Sequence, residues 1–312
     1  MAHTLPDWKA EGNRLGMIET RDAFACARTC AGCHVGGSPS PDGLTREVTH
    51  ELIAAGHPRL AFELTGHKRA EPPHWKARGD QSVDWAKGRL ATLEAVVGRL
   101  AVRSAAARAA ESTGDVEEAT RKVGWPELSE FDCYGCHRPA ALVGSNSRRM
   151  RGKPVGVASL EPFAWAQLAC LVSEGDANRL AALRRKLEVE WFRTPDAESL
   201  EQALAVLVES RHSLNGWDSR TPADRASLIV RHTDPSDWNQ AAAASIALEA
   251  IADDLSDPDQ SRSILAELRR LLEFQTESIN GRSIRFDSPR EYDASAIARL
   301  LAACRESIAS GE

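Results

Sequence analysis

From Ser159 to the C-terminus, apolar residues recur at spacings of three and four. That is the period of a helix with one buried face. The pattern predicts helices over 160–174, 176–193, 196–212, 222–231, 235–253, 257–278 and 293–309. Several starts carry helix-initiating residues: Pro195-Asp196, Thr221-Pro222 and Asp234-Pro235. Upstream, Leu90, Leu93, Val97 and Leu100 fall at helix spacing in a stretch running from Trp85 to about Lys122, with Gly114-Asp115 as its break. Residues 35–45 and 71–75 read as loops from their Gly, Ser and Pro. No alternating strand pattern of useful length is present. The expected fold is mainly α: an irregular Gly- and Pro-rich region over 1–153, then an all-helical bundle over 154–312.

Composition adds exclusions. The 312 residues carry a net charge of −6, which gives no general attraction to nucleic acid or to anionic membrane. No run of apolar residues is long enough for a transmembrane segment. The N-terminus shows neither the basic start nor the apolar stretch of a signal peptide. Of seven cysteines, four form two pairs. Cys26, Cys170 and Cys304 remain. Cys170 and Cys304 lie in helical stretches and read as buried thiols, with a disulfide between them as the alternative.

The two pairs change the picture. "CAGCH" occupies Cys30 to His34, and "CYGCH" occupies Cys133 to His137. In covalent haem attachment two thiols add to the porphyrin vinyl groups, and the adjoining His becomes an axial ligand of the iron. A four-cysteine zinc site, a dithiol redox pair, or an iron–sulfur cluster using Cys26, Cys30 and Cys33 would each need the cysteines. None of them requires His next to both pairs. With nine His in the chain, both pairs acquiring one at random is about a one-in-a-thousand event. The motifs therefore predict two covalently bound haem c groups. Cys30, Cys33, Cys133 and Cys136 hold them, and His34 and His137 are proximal ligands.

For the sixth positions Met is scarce and His is better supplied. His57, His50 and His74 are the main candidates, with His67 behind them, and His212 and His232 in the helical half last. His50 and His57 are seven residues apart. On a continuous helix that is about two turns, roughly 10.5 Å, on one face, but Gly56 and Pro58 break the helical periodicity of the segment. Trp75 and Trp125 lie near the motifs in sequence and could pack on the rings, with ordinary core as the alternative. The basic run 148–153, "RRMRGK", reads as a solvated loop, or as a contact for a propionate or an acidic partner.

Several stretches now resemble one family. "RLGMIETRDAFACARTCAGCHVG", "THELIAAGHPRLAFEL", "PPHW", "FDCYGCHRPAAL", "RRMRGKP", "DWNQAAAASIALEAI" and "FDSPREYDASAIARLL" are similar to segments of the multihaem c-type cytochromes common in planctomycetes. That family is related to the tetrahaem electron-acceptor cytochrome of hydroxylamine oxidation. Two departures stand out. Members usually carry further CxxCH motifs upstream, so this chain looks as if it lacks the N-terminal haem sites, with His3 and Trp8 matching an H…W element that precedes Gly16-Met17. Arg138 also stands where members often have a second His. The resemblance implies an electron carrier exchanging single electrons with redox partner proteins, such as another multihaem cytochrome. Haem c implies a periplasmic or otherwise exported location. The alternatives are a haem enzyme acting on a small nitrogen oxide, hydroxylamine or peroxide at a five-coordinate iron, a helical docking module, and a relic without cofactor.

Overall fold

The computed structural model describes residues 18–36, 48–57, 62–70, 79–113, 125–132, 159–273, 276–279, 282–285 and 292–311. These residues are mainly helical. In chain order the helices are α1 (Ala23–His34), α2 (His50–Ala54), α3 (Leu64–Ala70), α4 (Gln81–Thr113), α5 (Pro162–Trp165), α6 (Glu174–Val189), α7 (Ala197–Ser213), α8 (Pro222–Arg231), α9 (Trp238–Ala252), α10 (Asp259–Leu272) and α11 (Ala294–Ser310). Single 3-10 turns lie at Leu128–Glu130, Leu168–Cys170 and Leu214–Ser219. No described helix is long and apolar enough to cross a membrane.

Helix α4 is the spine. Its 33 residues span about 50 Å at the α-helical rise, and α1, α3, α7 and α9 all pack along it. Its start is heavily capped. Asp80 accepts the Val83 N–H at 2.9 Å, and Asp254 accepts those of Gln81 and Ser82 at 2.7 and 3.0 Å. Three of the four amides that a helix start leaves unpaired are thereby satisfied. The predicted stripe Leu90, Leu93, Val97 and Leu100 is buried in the core. Helix α9 is buried on nearly every side, including Ala241, Ala244, Ala247, Leu248 and Ile251, as expected of a central helix. Trp217 lies 5.3 Å from the Trp85 ring and donates its indole N–H to the Ser82 carbonyl at 3.1 Å. That contact joins the bundle to the spine.

Two predicted helices differ. The segment 160–174 is two short turns, because Glu161 (φ 35°) and Gln167 (φ 64°) adopt left-handed backbone. The Arg89 guanidinium gathers the carbonyls of Phe163, Ala164 and Ala166, which a continued helix would have used itself. The segment 257–278 stops being helical at Leu272. Beyond it, β1 (Thr276–Ile279) pairs antiparallel with β2 (Arg282–Arg285), Thr276 opposite Arg285 and Ile279 opposite Arg282. Cys170 and Cys304 are free, buried thiols, not a disulfide. Burial pushes both up to about 12, which keeps them protonated and inert.

Candidate functional site

Helix α1 carries the first motif. Asp22 caps it, accepting the Ala25 N–H at 2.7 Å. Ala23, Ala27 and Ala31 form its inward stripe and are buried with Phe62, Leu64 and Ala91 of α4. Fixing that stripe inward turns the motif away from the main core. Cys33 is exposed, while Cys30 and His34 are half-buried. Spacings of three and four place Cys30, Cys33 and His34 over one helical turn. Cys26 lies one turn before Cys30 on the same stripe.

Helix α3 faces this turn. It starts where the Glu63 carboxylate accepts the N–H groups of Thr65 and Gly66 at 3.1 and 2.6 Å. It approaches α4 through Leu64, which lies over Gly88. A Cβ at Gly88 would stand 2.7 Å from the Leu64 Cβ, so only glycine permits this approach. Two consecutive residues then pin the end of α3. Lys68 pairs with Asp84 at 2.8 Å, and Arg69 reaches Glu249 and Asp253, both at 2.8 Å. Held in this way, the His67 ring lies 5.7 Å from the His34 ring, centroid to centroid, with 60° between their planes. Phe62 completes a triangle, 6.0 Å from His34 and 6.1 Å from His67.

The second motif, Cys133, Cys136 and His137, lies outside the described residues, as do His74, Trp75 and the basic run 148–153. The stem on either side of it is described. Phe131 and Leu160 form an antiparallel bridge, with Asp132 N–H donating to the Ser159 carbonyl and Glu161 N–H to the Glu130 carbonyl, both at 2.8 Å. Glu130 is fully buried between two guanidinium groups. Its Oε1 is 3.0 Å from Arg99 Nε and 2.7 Å from Arg103 Nε. Arg99 Nη2 lies 2.7 Å from Glu161 Oε1, and Arg99 Nη1 donates to the carbonyl of Val35. One side chain of α4 thus ties the residue after His34 to a stem residue three positions before Cys133. Paired in this way, the buried charges are compensated; removing one partner would strand the others.

The remaining candidates separate. The His50 N–H donates to Glu127 Oε1 at 2.7 Å, and the same oxygen takes the Ser129 N–H at 3.0 Å. The stem of the second motif therefore positions His50. As the break read at Gly56 implies, the helix that starts at His50 does not run on to His57. Gly56 (φ 101°) ends it, with Gly56 N–H bonded to the Ile53 carbonyl and His57 N–H to the Leu52 carbonyl, both at 2.9 Å. This is a Schellman cap. His57 is exposed beyond it, and His212 and His232 are exposed in the bundle. Trp125 packs on Phe131, with ring centroids 6.4 Å apart, at the edge of the main core. Among the described residues, His67, the least favoured of the four N-terminal candidates, is the histidine placed against His34. Spacing could not reveal it, because only the packing of α1 and α3 on α4 brings the two together.

Chemically, the first site offers two thiols on an outward helical turn, an imidazole on that turn, and a second imidazole opposite. The residue types fit covalent haem: Cys33 is exposed, Cys30 is half-buried against the alanine cluster, and the adjoining His is not locked in the main core. No family model matches this chain, and no match was found among curated proteins or solved structures.

Proposed function

We propose that this protein is a dihaem c-type cytochrome, of the multihaem kind its sequence resembles, carrying single electrons between redox partners. The observation that carries the reading is the twice-written CxxCH, with Cys30, Cys33 and His34 of the first copy presented together on one turn of α1. Haem, once attached, supplies an iron that cycles between two oxidation states. The chain's own residues do the rest. Cys30 and Cys33 would hold the first porphyrin and Cys133 and Cys136 the second, with His34 and His137 as axial ligands. Helix α4 and the Arg99–Glu130–Glu161 cluster fix the first motif and the stem of the second to one rigid element. Little rearrangement is then needed when an electron arrives, which favours transfer. Redox partners, including another multihaem cytochrome, and an exported location belong to the same proposal.

The test is expression alongside a cytochrome c maturation system, followed by intact mass and a pyridine haemochrome spectrum. The expected mass is the polypeptide plus two haems. Cys30→Ala/Cys33→Ala removes one, and Cys133→Ala/Cys136→Ala removes the other. A colourless product of bare polypeptide mass under those conditions overturns the reading.

A further inference from the structure

We infer that His67 is the sixth ligand of the iron attached at Cys30 and Cys33, opposite His34. This rests on the haem reading above but goes beyond it, because the motif names only the proximal ligand.

Two imidazoles bound to one metal ion, each through a nitrogen at about 2 Å, hold their ring centroids roughly 6 Å apart. His34 and His67 already stand 5.7 Å apart. Axial imidazole planes both contain the nitrogen–metal–nitrogen line and can rotate about it. The 60° between the two planes is therefore compatible with shared ligation. Two axial donors suit an iron whose other four positions are porphyrin nitrogens.

The placement of His67 is built. The Glu63 cap starts α3, Leu64 is seated over Gly88, and the next two residues after His67 are anchored by three carboxylates. Both rings are half-buried, which limits water at the site. His50 is tethered through its backbone N–H to Glu127 on the second stem, and His57 is exposed after a helix cap. Phe62 is buried and its ring stands 6.0 Å from His34 and 6.1 Å from His67, so a macrocycle gripped between the two imidazoles requires that side chain to turn aside.

The experiment uses matured full-length protein in the Cys133→Ala/Cys136→Ala background, which carries one haem. The parent is expected to show a low-spin, six-coordinate spectrum in both oxidation states. His67→Ala is expected to become high-spin and to bind cyanide and carbon monoxide. His67→Met is expected to return to low spin with the near-infrared sulfur-to-iron charge-transfer band, a signature no structural role for His67 would give. Where His67→Ala fails to fold, His67→Met decides alone. A His67→Ala protein that keeps its low-spin spectrum overturns the assignment. So does a switch to high spin in His50→Ala, His57→Ala or His74→Ala while His67→Ala stays unchanged. A parent without haem overturns the electron-carrier reading itself and is told apart by mass.

Discussion

The two sides of α4 are held by different forces. On the bundle side, Leu200, Leu207, Trp217, Ile229, Leu248, Leu265, Leu268, Ile297 and Leu301 are nearly inaccessible to solvent. Large side chains of this kind each contribute roughly 1.5–3 kcal/mol by burial. On the motif side the fully buried residues are Ala23, Ala27, Ala31 and Ala91 with Phe62 and Leu64, and Phe24 and Val35 pack against them half-buried. Alanine removes little apolar surface from water. What holds α1 and α3 is caps at Asp22 and Glu63 and the ion pairs of Lys68 and Arg69. Such partly exposed pairs contribute about 0–1 kcal/mol each. The bundle side rests on large buried side chains, while the motif side is a scaffold that buries less apolar surface. In the haem reading its outward face is covered by porphyrin, whose apolar surface supplies the burial that alanines cannot.

The largest test of this contrast is Trp217→Ala. The indole is fully buried, packs tilted at 43° on Trp85 and bonds Ser82. Its removal should cost about 3–5 kcal/mol and lower the urea midpoint of the whole protein. Hydrogen exchange should rise across α7 to α11 as well as in α4. A loss confined to α1–α3 would reverse the assignment of which side carries the stability.

A smaller and more local effect is expected from Gly88→Ala. Alanine favours a helix by about 1 kcal/mol over glycine, but here its Cβ would stand 2.7 Å from the Leu64 Cβ. Overpacking of this kind costs roughly 1–3 kcal/mol. The two terms nearly offset globally, so the readout is local. Exchange protection should fall at 62–70 while the bundle keeps its midpoint. Unchanged protection of α3 would show that the Leu64 seat does not fix it.

The helices were legible where the pattern had an interior to face. Leu90, Leu93, Val97 and Leu100 predicted α4, and Thr221-Pro222 predicted α8 to the residue, with Thr221 accepting the Asp224 N–H at 3.2 Å. Other boundaries failed for reasons that lie in partners far along the chain or in local turns. Asp234 does not start a helix at Pro235, because its carboxylate accepts the Ser236 N–H at 2.8 Å in a tight turn. Asp237 caps α9 instead. Arg89 breaks up 160–174 from more than seventy residues away. The hairpin after Leu272 did have a signal, the Asn280-Gly281 pair between its strands, which the helical reading of 257–278 passed over. At the candidate site, the spacing of Cys30, Cys33 and His34 was fully legible. The pairing of His34 with His67, and the bridging by Arg99, were not, because both depend on which side chains α4 presents to segments distant in sequence.

The smallest predicted effect probes the joint where the two sides meet at the start of α4. Asp254, from the turn after α9, lies beside Asp80, and both line a hollow of about 500 Å³. Burial, then the hydrogen bond with Asp80, raises Asp254 from 3.8 to about 6. Burial alone would raise Asp80 too, but hydrogen bonds with Asp254, Arg225, Val83 and Ser82 outweigh it and hold Asp80 at about 2. The two shifts have opposite consequences for folding. The raised Asp254 contributes stability that is full below about pH 4 and is lost as pH climbs through 6. The lowered Asp80 contributes stability that is full above about pH 4 and is lost as pH falls through 2. The pair therefore stabilises most near pH 4, where one proton is shared between the two carboxyls. Asp254→Asn cannot ionise, so it should flatten the decline between pH 4 and 6 and leave the acid limb below pH 4 in place. Solvent screening at this partly exposed site keeps the difference below about 1 kcal/mol. Urea unfolding of parent and variant at pH 4, 5, 6 and 7 resolves it, because the quantity compared is the slope and any uniform loss from the missing acceptor cancels. Parallel slopes across that range would mean that the two carboxyls do not share a proton, and that Asp254 serves the seam only as acceptor of the Gln81 and Ser82 amides.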